Sequence, residues 1–301
     1  GAYVETKSKG STSSSSSCWK YEKEFQTTAP NLADALPVEV EMYIPNRNRL
    51  GSEKVPMVFI LPPIGGVNLL DRRLARTLCA NKMAAMIIAN DFANVDLQSK
   101  KPLLPVSDHQ ETFYRLHAAI RGLFAFANDD ANINPEKVGI VGASLGGILS
   151  AFVMSTQPDI SAGVFITSGG DIPEILAQSQ QDEIEKIRKK RMTEQGFTTK
   201  AEYEAFLRQH LFYDPMDMTL TMLPETMQMV IAKRDRNVPT INQEALHKAF
   251  KTPKARFLNE GHVSTIISTL FPQRRRQEIA NFLESRFSQD NPRKPLFRSL
   301  Q

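Results

Sequence analysis

Apolar and polar positions along the 301 residues change texture several times, and those changes divide the chain. Residues 1–17 include the run Ser11-Thr12-Ser13-Ser14-Ser15-Ser16-Ser17. Such a tract buries too little surface to offset its ordering entropy, so a flexible tail is expected there. A β segment is read over 19–27. Over 37–43, Val38, Val40 and Met42 alternate with Glu39 and Glu41, the period of a half-exposed antiparallel strand. From residue 55 the alternation gives way to continuous apolar runs at 56–61, 84–89, 138–141, 162–167 and 227–232, with a shorter strand at 255–258. Runs of that kind mark parallel strands buried on both faces. Helical patterns separate them at 69–81, 147–154, 242–250 and 274–287. The clearest is at 109–128, where Phe113, Leu116, Ala119, Ile120, Leu123 and Phe124 fall at helical spacing. The order predicts one α/β domain over 18–301, with a mostly parallel sheet of about eight strands and helices on both faces.

One stretch breaks the alternation. Residues 171–225 lack a strand pattern; they carry charged helices at 182–195 and 200–210, then Met216, Met218 and Met222. The stretch falls between two late strands, near the sheet edge where open α/β folds bind ligands, and is expected to be a helical cap. Methionine fills irregular apolar spaces, which makes these three candidates for a substrate pocket. Ordinary packing of cap on core explains them equally well.

Candidate chemistry centres on Gly142-Ala143-Ser144-Leu145-Gly146, which ends the apolar run 138–141 and opens the helix that follows. A Gly-x-Ser-x-Gly pentapeptide between strand and helix puts the serine at the apex of a sharp, strained turn, with its hydroxyl exposed. Serine is a weak nucleophile at neutral pH and needs a base that a third group orients. Among five histidines, His109 and His117 precede Ser144, while His210 and His247 lie in helical stretches. His262 follows the strand 255–258 and takes a loop at the expected sheet edge. For the acid, Asp235 lies just past the strand 227–232, and Asp171, at the end of the strand before it, is the rival. Two backbone N–H groups are expected to hold a developing oxyanion. Leu145 would supply one. The loop Leu61-Pro62-Pro63-Ile64-Gly65-Gly66 would supply the other, and Ile64 is its first residue with an N–H, since proline has none. Gly65 and Gly66 would let a substrate approach closely, or form only a flexible turn.

With these residues in place, the chain resembles the α/β-hydrolase superfamily, on its serine esterase/lipase-like branch, over roughly residues 36–287 outside the 171–225 insertion. The resemblance implies a catalytic triad of Ser144, Asp235 and His262 and a site closed by the cap. It implies hydrolysis of carboxylic esters through an acyl-enzyme, acting on a small-molecule ester or acyl substrate with no cofactor and no metal. Peptidase, thioesterase and acyltransferase chemistry share that triad, and a non-catalytic binding role on the same scaffold is the remaining alternative. Pro-Pro-Ile-Gly-Gly stands where lipases carry His-Gly-Gly-Gly.

Composition narrows the rest. The net charge is +4, and part of the excess sits in Arg188-Lys189-Lys190-Arg191 and Arg274-Arg275-Arg276. No aromatic-interleaved basic stripe accompanies these runs, so they read as solvated helix faces and no nucleic-acid partner is expected. No stretch reaches the roughly 18 apolar residues of a membrane span, so no transmembrane segment is expected. Cys18 and Cys79 are the two cysteines. A disulfide between them is expected only of an exported protein, and two free thiols are the simpler expectation. The compartment is open between cytoplasmic and exported, with the serine tract favouring export, and the oligomeric state is not legible.

Overall fold

The computed structural model describes residues 3–9, 18–27, 36–46, 53–89 and 107–295. Among the described residues nine strands form one sheet: β1 (Tyr3–Lys9), β2 (Cys18–Thr27), β3 (Leu36–Pro45), β4 (Val55–Leu61), β5 (Ala84–Ile88), β6 (Ile133–Ala143), β7 (Ile160–Ile166), β8 (Met227–Ala232) and β9 (Lys254–Leu258). Their spatial order is β1-β2-β3-β5-β4-β6-β7-β8-β9. The six strands from β5 to β9 run parallel, and β1, β2 and β3 extend them antiparallel. The fold is the expected α/β architecture, with β1 as the added strand. Residues 3–9, inside the stretch expected to be a tail, pair with β2 from Tyr3 opposite Thr27 to Lys9 opposite Glu22. The serine run lies outside the described residues.

The helices are α1 (Leu69–Ala80), α2 (Ser107–Asp129), α3 (Leu145–Thr156), α4 (Ile172–Gln178), α5 (Asp182–Gln195), α6 (Lys200–His210), α7 (Thr240–Ala249), α8 (His262–Leu270) and α9 (Gln273–Phe287). Alternate side chains of the central strands feed opposite cores. Met57, Phe59 and Leu61 of β4 pack with α2 and α3, whereas Val58 and Ile60 pack with α1, α8 and α9. Each such side chain contributes about 1.5–3 kcal/mol on burial. That explains why β4 reads as an unbroken apolar run. Residues 171–225 hold α4, α5, α6 and two short 3-10 turns, with no strand among them.

Three further expectations change. The basic runs are not wholly solvated: Arg188, Arg191 and Arg276 are buried. Arg188 donates to the Leu176 and Ser179 carbonyls, and Arg276 to those of Leu270 and Phe271 and to Thr77 Oγ1. Carbonyls left open at helix ends accept these guanidiniums. His262 does not sit in a loop but opens α8, whose β-branched sequence has weak helix propensity; burial of Thr265, Ile266, Thr269 and Leu270 overrides it. The two cysteines are not free thiols. Cys18, first in β2, meets Cys79 in the last turn of α1, and the two form a disulfide with Cα atoms 6.1 Å apart.

This crosslink closes 61 residues of chain, for which loop entropy predicts about 4 kcal/mol of stabilisation. Denatured, unreduced protein is expected to show no thiol reactive to Ellman's reagent. A Cys18→Ser/Cys79→Ser variant is expected to lose stability of that order in urea titrations. Two titratable thiols would contradict the pairing.

Candidate active site

The site lies where the strand order reverses. From β4 the chain returns on one side as β5 and on the other as β6, so the loops leaving β4 and β6 flank a crevice at the strands' C-terminal ends. Leu61 pairs with Gly142 and Ala143 with Ile166, which keeps those ends level. Ser144 follows at once with φ 57° and ψ −125°, a conformation that side-chain-bearing residues rarely adopt. Its N–H donates to the Ile166 carbonyl at 2.9 Å, and its own carbonyl accepts from Ile148 in α3 at 3.0 Å. The flanking glycines make the turn possible. A Cβ on Gly142 would collide with the Gly146 carbonyl, and one on Gly146 with the carbonyls of Leu61 and Pro62.

Two residues far away in sequence complete the constellation. His262 Nε2 lies 2.8 Å from Ser144 Oγ, and its Nδ1 lies 2.7 Å from Asp235 Oδ2. With the Nδ1 proton given to Asp235, Nε2 is left to accept from the serine hydroxyl. Asp235 Oδ1 accepts from the N–H groups of Asn237 (2.8 Å) and Val238 (3.0 Å), and Oδ2 also accepts from Gln243 Nε2 (2.8 Å). Asp171, the rival acid, is engaged elsewhere. It caps α4 by accepting from Glu174 N–H and forms an ion pair with Arg208 of α6 at 3.0 Å. Of the other histidines, His117 meets Gln157, while His210 and His247 meet the Phe206 and Pro253 carbonyls. The side chain of His109 lies outside the described residues.

A cavity of about 310 Å³ opens beside Ser144 and His262. Pro63, Ile64 and Leu70 form one apolar wall, and Val263, Ile266 and Ile267 another. Asn68, Gln181 and Asn237 bring amides to it; none of the three had a recognisable sequence signal as a site residue. Leu145 is the first residue of α3, so its N–H has no partner within the helix. Gly65 and Gly66 turn the β4 loop with φ of 96° and 82° and do not line the cavity. The methionines do not line it either. Met216 covers Gly170, Met218 packs against the core, and Met222 is fully buried with its sulfur 3.8 Å from Arg293. Apolar packing took them inward, the alternative that composition left open.

Residues 4–169 match the family described as alpha/beta hydrolase domain containing 18. The chain belongs to that family. The matched stretch runs from β1 through β7 and holds Ile64, Ser144 and Leu145, but neither Asp235 nor His262. No curated relative matches the sequence. Similar solved structures include an acetyl xylan esterase from Paenibacillus sp. R4, 14% identical, with TM-score 0.69 over 94% of this chain and 88% of that one. Acetyl xylan esterase 1 from Thermoanaerobacterium sp. JW/SL YS485 is 15% identical, with TM-score 0.64 over 92% and 87%. Est1E from Butyrivibrio proteoclasticus is 14% identical, with TM-score 0.58 over 88% and 99%. At such identities the likeness is one of fold.

Within this α/β hydrolase, Asn68 is held by α1. Its Oδ1 accepts from Leu70 and Asp71 N–H, and its own N–H donates to Asp71 Oδ2 at 2.9 Å. Burial pushes the Asp71 carboxyl up to about 6, against the pull of the Asn68 N–H and of Arg72. A folded-state value above the ordinary one means that the folded protein holds this proton more tightly than the unfolded chain. Stability is therefore lost as pH rises through about 4 to 6. Asp71→Asn keeps an acceptor for Asn68 and removes the buried charge. It is expected to raise unfolding free energy at pH 8 by up to about 3 kcal/mol and to give no gain near pH 3.5, as measured by denaturant titration at both pH values.

Proposed function

We propose that this protein hydrolyses carboxylic esters, with Ser144 as nucleophile, His262 as general base and Asp235 as the acid that orients it. The observation that carries this reading is His262 spanning Ser144 Oγ and Asp235 Oδ2 at 2.8 and 2.7 Å. Nε2 takes the serine proton as Oγ attacks the ester carbonyl. Asp235 holds the imidazole in the required tautomer and stabilises the imidazolium that forms. The tetrahedral oxyanion takes hydrogen bonds from the N–H groups of Leu145 and Ile64, the first in the free turn of α3 and the second on the cavity wall. His262 returns its proton to the leaving alcohol. Water, activated by the same nitrogen, then releases the acid.

The lining described here carries no side-chain carboxylate, lysine or arginine, which favours an uncharged group beside the scissile bond. Esters are preferred to amides or thioesters because the two acetyl xylan esterases named above share this fold. Residues 171–225 act as a cap in this reading. Gln181 of that segment reaches the cavity, Gln180 N–H donates to the Arg236 carbonyl at 2.8 Å, and Ser179 Oγ donates to that of Asn237.

Ser144→Ala is expected to lower kcat for p-nitrophenyl acetate by at least about 10³-fold, towards the roughly 10⁶ seen when a triad is dismantled. Fluorophosphonate labelling of wild type is expected at Ser144. Undiminished hydrolysis by the variant would sink the assignment. A folded, unlabelled wild type would instead favour a binding role, and cleavage of peptides or thioesters alone would move the substrate class. Because the base must be neutral to accept the serine proton, the wild-type rate is expected to fall on acidification; a rate indifferent to pH contradicts His262 as base.

A further inference from the structure

The geometry points to Gln243 as a positioning residue for the Ser144–His262–Asp235 constellation, an inference that rests on the triad reading. Gln243 lies in the first turns of α7 and is fully buried. Its Oε1 accepts from the Ala232 N–H at 3.0 Å, and its Nε2 donates to Asp235 Oδ2 and to the Val238 carbonyl, each at 2.8 Å. The surroundings fix which way the amide faces. A flipped group would set its oxygen against the Asp235 carboxylate and the Val238 carbonyl, and its NH2 against the Ala232 N–H. Three favourable contacts would become three repulsive ones.

The partners are also well placed to transmit this order. Ala232 ends β8, and its carbonyl accepts from Thr240 Oγ1 at 2.7 Å, so α7 grips both backbone groups of the residue from which the acid loop departs. Val238 closes that loop, and its N–H donates back to Asp235 Oδ1. Gln243 thus ties together the start of the loop, its end and the carboxylate between them. With His262, Asn237 and Val238, it brings the hydrogen bonds on that carboxylate to four, two on each oxygen. A carboxylate so held has one rotamer and one direction in which to offer Oδ2 to the histidine.

Removing the Gln243 donor has a predictable sign. The carboxylate, accepting one bond fewer, binds the imidazolium more strongly and is less well oriented. Gln243→Met matches the side chain in length and removes every hydrogen bond. Its kcat for p-nitrophenyl acetate is expected to fall about tenfold to a hundredfold, with KM unchanged and the acidic limb of the kcat profile moved up by about half a pH unit or more. Gln243→Glu retains the Ala232 bond but must keep a proton to replace the amide donor. Its rate is expected to fall again on the alkaline side, where wild type does not, which keeps the test open if the methionine variant fails to fold. Asn242→Ala controls for structure. Asn242 is equally buried, and its Nδ2 donates to the Gly170 carbonyl and Glu174 Oε2, away from Asp235. Its loss should lower the melting temperature without displacing either limb. A Gln243→Met enzyme whose acidic limb coincides with wild type, or moves no more than that of Asn242→Ala, overturns the positioning role. Wild-type labelling at Ser144 separates that result from failure of the triad reading, which would show as an unlabelled serine and would remove the role as well.

Discussion

Backbone approaching backbone more closely than any side chain permits is the constraint on which the cavity depends. The α3 backbone runs against the ends of β4 and β6 because Gly142 and Gly146 present no Cβ to the carbonyls they face. Ser144 is thereby held at a positive φ, pinned by its N–H to β7 and by its carbonyl to α3. The strain is local and is sustained by packing: ten of the twelve residues of α3 are buried, so the helix has no solvent face towards which to relax. The β4 loop then lies beside the serine because the strand order reverses between β4 and β6, and that loop and the Ser144 turn together bring both proposed oxyanion donors to the same edge.

A second level of order comes from the loops that leave β8 and β9. Lys233 N–H donates to the Leu258 carbonyl and Arg234 N–H to that of Glu260, so the Asp235 loop and the approach to His262 are tied together. Carboxylate, histidine and the start of α8 are locked together before any contact with the serine is considered. The apolar wall formed by Val263, Ile266 and Ile267 belongs to that same helix. The shape of the cavity and the position of His262 therefore share one scaffold, and a change in α8 packing would alter both.

Residues whose role follows from periodicity or from a fixed turn were legible in the chain. The apolar runs of β4 to β8 and the pattern of α2 follow from burial on both faces or on one stripe, and the Ser144 turn has its own glycine signature. Other features carry no such signature. Strand β1 adjoins a serine tract that masks its alternation. The Cys18–Cys79 contact depends on β2 lying over α1, a tertiary fact without sequence period. Met216, Met218 and Met222 looked the same whether they faced a ligand or the core, and packing decided for the core. Asn68 and Gln243 are amides whose importance comes only from the groups placed around them.

The hydrogen bond between Ser144 and His262 spans 118 residues of sequence, whereas the turn that bears the serine is built from neighbours. During synthesis the N-terminal part emerges first, and at about 5–20 residues per second the histidine follows the serine by on the order of ten seconds. Throughout that interval the nascent chain carries the Ser144 hydroxyl without its imidazole partner. A nascent or prematurely released fragment ending before β9 lacks His262 altogether, so the Ser144–His262–Asp235 arrangement can assemble only once β9 and the start of α8 have been made.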